Sequence, residues 1–253
     1  ATQFDQVVAR VALRDGTLTI DQLAGNAYGG AVDMTGALVA RGQPTATGKL
    51  KATNLDASRL AQDGLLGSRI TGPLSLTADI QTAGVSLGDM VDALSGQGRI
   101  DGAITVLTAV EQQLGTVLLN VLGAKVKQVR GLTDTVNTVF TAFAGGPNTL
   151  AGSFIIDQGV LTTEDMTLTG QNARALARGQ ADLGAWSLDL LTDIYRQADL
   201  APYLTVNLKG ALDQPNAKFT GAAFSGAAAA PPAAPAPAIE SVNPLPGVLP
   251  QVI

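Results

Sequence analysis

The 253-residue chain contains no cysteine and no histidine. Their absence excludes disulfide frameworks, thiolate nucleophiles, His–metal sites, Ser–His triads and imidazole proton shuttles. Charge is also scarce: 15% of residues, 16 basic against 21 acidic, for a net charge of −5. The basic residues are scattered, so the chain offers no cluster to neutralise a phosphate backbone, and nucleic acid is excluded as a partner. Long hydrophobic runs are missing. No window reaches the roughly 18 apolar residues of a membrane helix, since even the stretch 117–123 is interrupted by Asn120, and the chain reads as soluble or membrane-peripheral. It opens at Ala1 with neither a charged n-region nor an apolar h-region, which leads us to expect a signal or anchor upstream. The lack of cysteine suits an oxidising compartment.

What is present is 46% hydrophobic residues and 29 glycines, arranged mostly with period two, the repeat that places alternate side chains on opposite faces of a strand. Val7, Ala9, Val11 and Leu13 share one face. After Asp15-Gly16, a hairpin signal, Leu18 and Ile20 continue it against Thr17, Thr19 and Asp21. Leu74, Leu76, Ala78 and Ile80 alternate with Ser75, Thr77, Asp79 and Gln81. Ile100, Gly102, Ile104 and Val106 do the same, as do Leu204, Val206 and Leu208. Such alternation predicts antiparallel sheet with one wet face. The stretch Val11 to Leu18 resembles Phe154 to Leu161, with the next large apolar residue five positions on in each, at Leu23 and Met166. Two related β-meanders, one per half, would produce this; so would any two hairpins of this length.

Between the halves the period changes to helical. Leu107, Val110, Leu114, Val117, Leu118, Val121 and Leu122 form one stripe, and Leu132, Val136, Val139, Phe140 and Phe143 another, predicting an amphipathic helical pair over about 107–145. Its connection carries Lys125, Lys127 and Arg130, which are either a solvated loop or contacts for anionic headgroups. Shorter helices are expected at Asp56 to Gln62, with Asp56 as N-cap, and at Ser86 to Leu94, with Ser86 as cap and Asp89 supporting the first turn. Seven of the twelve prolines fall between Pro231 and Pro250, so 221–253 is expected to be a disordered Ala/Pro-rich tail and 1–220 the folded domain.

Chemistry is hard to find. Gly96-Gln97-Gly98-Arg99-Ile100-Asp101-Gly102 has the wrong spacing for a dinucleotide fingerprint and leads into a strand, not a helix. Glu164-Asp165 read as a solvated turn, and Asp189 and Asp193 lie in a stretch of unsettled period. No loop has calcium spacing. The expectation is a protein without catalytic residues, metal or cofactor. The apolar strand faces must be covered by something: either an ordinary core under the helices, or, on a long curved sheet, an inner face left partly open as a trough for acyl chains.

A family resemblance bears on that choice. Arg14-Asp15-Gly16-Thr17-Leu18 with Tyr28-Gly29-Gly30 resembles the opening of the AsmA-family C-terminal region. Agreement continues in order through Gly96 to Ile104, Thr149 with Phe154 to Val160, Gly179-Gln180-Ala181-Asp182-Leu183, and Leu208 to Pro215, spanning nearly all of residues 4–219. The family is similar to the larger TamB and YhdP-like proteins. The resemblance implies a non-enzymatic periplasmic protein of a Gram-negative envelope, anchored to the inner membrane by a segment outside this chain. The resemblance further implies that such a protein carries phospholipid along a β-groove between the two membranes. Outer-membrane assembly proteins are the further candidate partners. The alternative is a structural or chaperone-like module that assists outer-membrane protein assembly by offering sheet edges to unfolded strands. Asp15, Gly16, Asp101, Gly102 and Gly159 carry over as turn makers only.

Residues and resemblance together predict a mainly β (α+β) fold: an extended curved antiparallel sheet of two β-meanders with the inserted amphipathic helical pair. The candidate lipid-facing residues are Val11, Leu13, Leu18, Ile20, Leu74, Leu76, Ile80, Ile100, Ile104, Leu204, Val206 and Leu208. Lys125, Lys127 and Arg130 are the candidate headgroup contacts, and phospholipid acyl chains the expected ligand.

Overall fold

The computed structural model describes residues 4–62, 70–106, 141–196, 199–212 and 214–221. They form one antiparallel sheet built from a meander: β1 (Phe4–Arg14), β2 (Thr17–Ala27), β3 (Gly30–Val39), β4 (Thr45–Asp56), β6 (Pro73–Ala83), β7 (Ser95–Val106), β8 (Pro147–Asp157), β9 (Val160–Thr169), β10 (Ala173–Asp182), β11 (Ser187–Arg196), β12 (Leu204–Ala211) and β13 (Gln214–Thr220) pair in that order, and the short β5 (Ile70–Thr71) adds to β7 off the main path. The expected open, curved antiparallel sheet is what forms. The helical pair expected over 107–145 lies outside the described residues but for its last few, of which 141–143 are helical. Lys125, Lys127, Arg130 and the tail from 222 lie outside them too.

Tight turns set the register. Asp15 and Gly16 have φ of 50° and 74°, Tyr28 and Gly29 49° and 80°, Gln158 and Gly159 48° and 77°. These are two-residue turns with both residues left-handed, the type whose twist matches that of the flanking strands. Glycine meets the second requirement at little cost, whereas Asp15, Tyr28 and Gln158 carry the strain of the first. Asp101 and Gly102, expected as turn makers, instead lie inside β7, paired on both sides.

The internal likeness is a structural repeat. Adding 143 to the bounds of β1 and β3 gives 147–157 and 173–182, the bounds of β8 and β10. The irregularities repeat as well. β2 carries one extra residue between Ile20 and Leu23 relative to β3, and β9 one between Thr163 and Met166 relative to β10, at positions again 143 apart. Bulges bend a strand and sharpen its twist. Here they fall within strands β1, β2, β4 and β9 of the curved sheet.

Two short helices close the connections. Asp56 caps α1 (Ala57–Gln62), its Oδ1 accepting from Ser58 N at 2.9 Å and Ser58 Oγ at 2.7 Å. Ser86 caps α2 (Leu87–Asp92) in a full capping box with Asp89. Both caps were legible in the sequence. Ala57 is fully buried with Ala52, Leu55, Leu74 and Ile104, so α1 seals one end of strands β4, β6 and β7. A second cluster joins Val106, Phe143, Ala173, Ile194 and Leu204, with Phe219 packed against it. The cluster links residues on β7 and on β9 to β13 in series along the apolar side.

Candidate functional site

Directly paired residues of neighbouring strands point to the same face, so the register traces each face across the whole sheet. One line runs Leu13, Leu18, Leu38, Ala46 through β1 to β4. A second runs Ala52, Leu76, Ile100, Gly152 through β4 to β8. A third runs Ala177, Thr192, Val206, Phe219 through β10 to β13. The lines connect through β3 and β4 and through β8 to β10, so all belong to a single face. All twelve residues expected on one apolar face lie on it. The one-residue slips at the bulges are what keep the apolar set together. Leu18 and Leu23 are an odd number of positions apart and share a face only because β2 carries the extra residue.

The opposite face is polar. Lys49 lies opposite Asp79, with Nζ 3.0 Å from Oδ1, and Lys209 opposite Asp189 at 2.6 Å. Arg178 reaches Asp193 at 2.5 Å, and Thr205 Oγ1 donates to the other oxygen of that buried carboxylate at 2.7 Å. Asp189 and Asp193 are therefore strand residues in polar ladders. Glu164 and Asp165, expected in a solvated turn, instead sit inside β9 at its bulge. Asp165 accepts from Ser153 N at 2.7 Å and Ser153 Oγ at 2.9 Å. Those two donors hold its pKa below the ordinary carboxylate value of 3.8. Asp56 is lowered likewise, first by the Ser58 hydroxyl and then by the Ser58 N–H. Both shifts come from structural hydrogen bonds, not from burial in a cleft.

The apolar face is not uniformly covered. Leu74, Ile104 and Leu204, expected to face lipid, are buried in the two clusters at the α1 end, where α1 and Phe143 close over them; Leu204 is 1% exposed. Leu18, Ile20, Leu76, Ile100, Val206 and Leu208 are half-buried, and Val11, Leu13 and Ile80 are exposed, Leu13 at 74%. An apolar hollow of about 320 Å³ opens against β1 to β4, lined by Phe4, Val7, Leu23, Ala24, Gly25, Val32, Met34 and Leu50. A larger hollow of about 510 Å³ is lined by Thr77, Asp79, Gln97, Arg99 and Ser153 as much as by Leu50, Ala78, Gly98 and Phe154. It draws on both faces and is too polar to hold hydrocarbon alone. Periodicity did not reveal the glycines: all ten within the described strands fall on the apolar face.

No group of three acidic, histidine or cysteine side chains converges among the described residues, and none of their helices is long and apolar enough to cross a membrane. The arrangement defines a class: a long, curved β-sheet with one apolar face that is only partly covered. The chain belongs to the AsmA family, whose model matches residues 1–166. This family is associated with the bacterial envelope and its biogenesis and is in general non-enzymatic. No curated protein matches the chain. No solved structure matches it either.

Proposed function

We propose that this chain is a segment of a phospholipid conduit in the periplasm of a Gram-negative envelope, held to the inner membrane by an anchor beyond it, with the apolar face carrying acyl chains between inner and outer membrane. The supporting observation is one unbroken apolar face across twelve strands that remains half-exposed over most of its length. At about 4.8 Å per strand the face is about 53 Å long, longer than the ~30 Å hydrocarbon core of a bilayer. Apolar area withdrawn from water stabilises the bound chain by about 25 cal/mol per Å² without any directional bond. Hydrocarbon is therefore held along the floor yet free to slide.

Purified from cells, the chain is expected to carry phospholipid visible by native mass spectrometry. Leu76→Asp and Leu208→Asp place a charge on the floor and should abolish that lipid while the circular dichroism spectrum stays β-rich. Unchanged lipid content in both variants would refute the reading. A second reading, a chaperone-like module for outer-membrane proteins, draws on β1, an edge strand with Phe4, Val7, Val8, Val11 and Leu13 exposed. Co-purifying peptide in place of lipid would favour it.

A further inference from the structure

Side chains normally stand away from a sheet, yet several large ones on this floor lie down. Gly98 pairs with Phe154, Gly102 with Leu74, and both Gly48 and Gly96 with Ile80. A Cβ built on Gly98 would collide with Phe154 Cζ, one on Gly102 would stand 2.6 Å from Leu74 Cδ2, and one on Gly152 2.7 Å from Met166 Sδ. The large side chain, together with the backbone of the neighbouring strand, thus occupies the space the glycine leaves. Glycine weakens a strand through its backbone entropy and its lack of a packing surface, so a face that collects every glycine of the described strands gives up strand stability for something. Were this an ordinary core, facing side chains would fill the volume above the floor.

We propose that the glycines set the depth of the trough. Gly98, Gly102 and Gly152 let a Phe, a Leu and a Met lie along the floor instead of rising from it, and a glycine elsewhere adds nothing to its height, which keeps the floor apolar while the space above stays free for unbranched hydrocarbon. This rests on the lipid-conduit reading and names the residues that shape its bore.

The test is phospholipid phosphorus per mole of the chain purified from cells, with circular dichroism to confirm folding. Gly48 is the cleanest position, because its built Cβ meets only Ile80 Cγ1 at 3.4 Å, with nothing else closer than 3.8 Å. Gly48→Phe should lower bound lipid about tenfold, the effect of displacing one large side chain's worth of apolar contact. Thr47→Phe, next along β4 and exposed on the polar face, should leave it unchanged. Ala78→Phe raises the same floor from a residue that already carries a Cβ, and decides the matter if Gly48→Phe does not fold. Phe154→Ala, which deepens the trough, should keep the lipid. Wild-type loading in folded Gly48→Phe and Ala78→Phe, or equal loss in Thr47→Phe, overturns the proposal and leaves the conduit standing. A wild-type chain free of lipid overturns the conduit, and this inference with it.

Discussion

Asp165 shows how a single carboxylate holds a bulge in place. Its two oxygens take the N–H and hydroxyl of Ser153 across the irregular stretch of β8 and β9. Because the folded-state pKa lies below 3.8, the stabilisation is present above that value and is lost as pH falls through the lower folded-state pKa. Acid titration of stability should therefore show a component below about pH 4 that Asp165→Asn removes. Identical acid profiles for the two proteins would contradict the assignment. The polar face offers a second contrast. Asp193 is buried and Arg178 reaches it, so Arg178→Ala leaves a carboxylate short of a partner and should cost about 1–3 kcal/mol in urea unfolding. Lys209→Ala removes a solvent-exposed pair with Asp189 and should cost about 0–1 kcal/mol.

At the scale of elements, the strands were legible because alternation in Leu74 to Gln81 or Leu204 to Lys209 is a direct image of a pleat with one wet face. Caps at Asp56 and Ser86 were legible because few residue types satisfy the orphan N–H groups of a helix start. The bulges left a fainter mark: Leu18 to Leu23 and Leu161 to Met166 are five residues apart, an odd spacing that regular pleating cannot place on one face. Glu164 and Asp165 were misassigned because adjacent acidic residues suit a turn, and nothing local shows that the extra residue belongs to a strand whose neighbours keep their pairing. Which apolar residues end up sealed was not legible at all. Leu74 and Leu76 are alike in sequence, but only the first is buried in the cluster that holds Ala57 of α1, while the second packs half-buried against it, a long-range packing outcome. The bulge makes its own prediction. Asp21 is the residue of β2 left unpaired with β1, between Ile20 opposite Val11 and Gln22 opposite Arg10. Asp21→Ala should leave the urea midpoint almost unchanged. Deleting Asp21 should unfold the chain or lower the midpoint strongly, since Leu18 and Ile20 would then face away from Leu23. A tolerated deletion would mean that the register is not fixed by this residue.

Across the described residues, a duplicated meander, bulges within its strands and glycines gathered on one side combine to make a curved sheet whose apolar face is not filled. Burial concentrates at the α1 end, while Val11, Leu13 and Ile80 stay open to solvent. The most direct test of lipid passage along this face is to place a photoreactive amino acid at successive positions of the chain in living cells and score covalent phospholipid adducts. Adducts are expected at Leu18, Leu38, Leu76, Ile100 and Leu208 and not at Thr19, Ala37, Thr77, Arg99 or Asn207, a yield that alternates with the pleat from strand to strand. Adducts that ignore the alternation, or that form at none of these sites, would contradict the account.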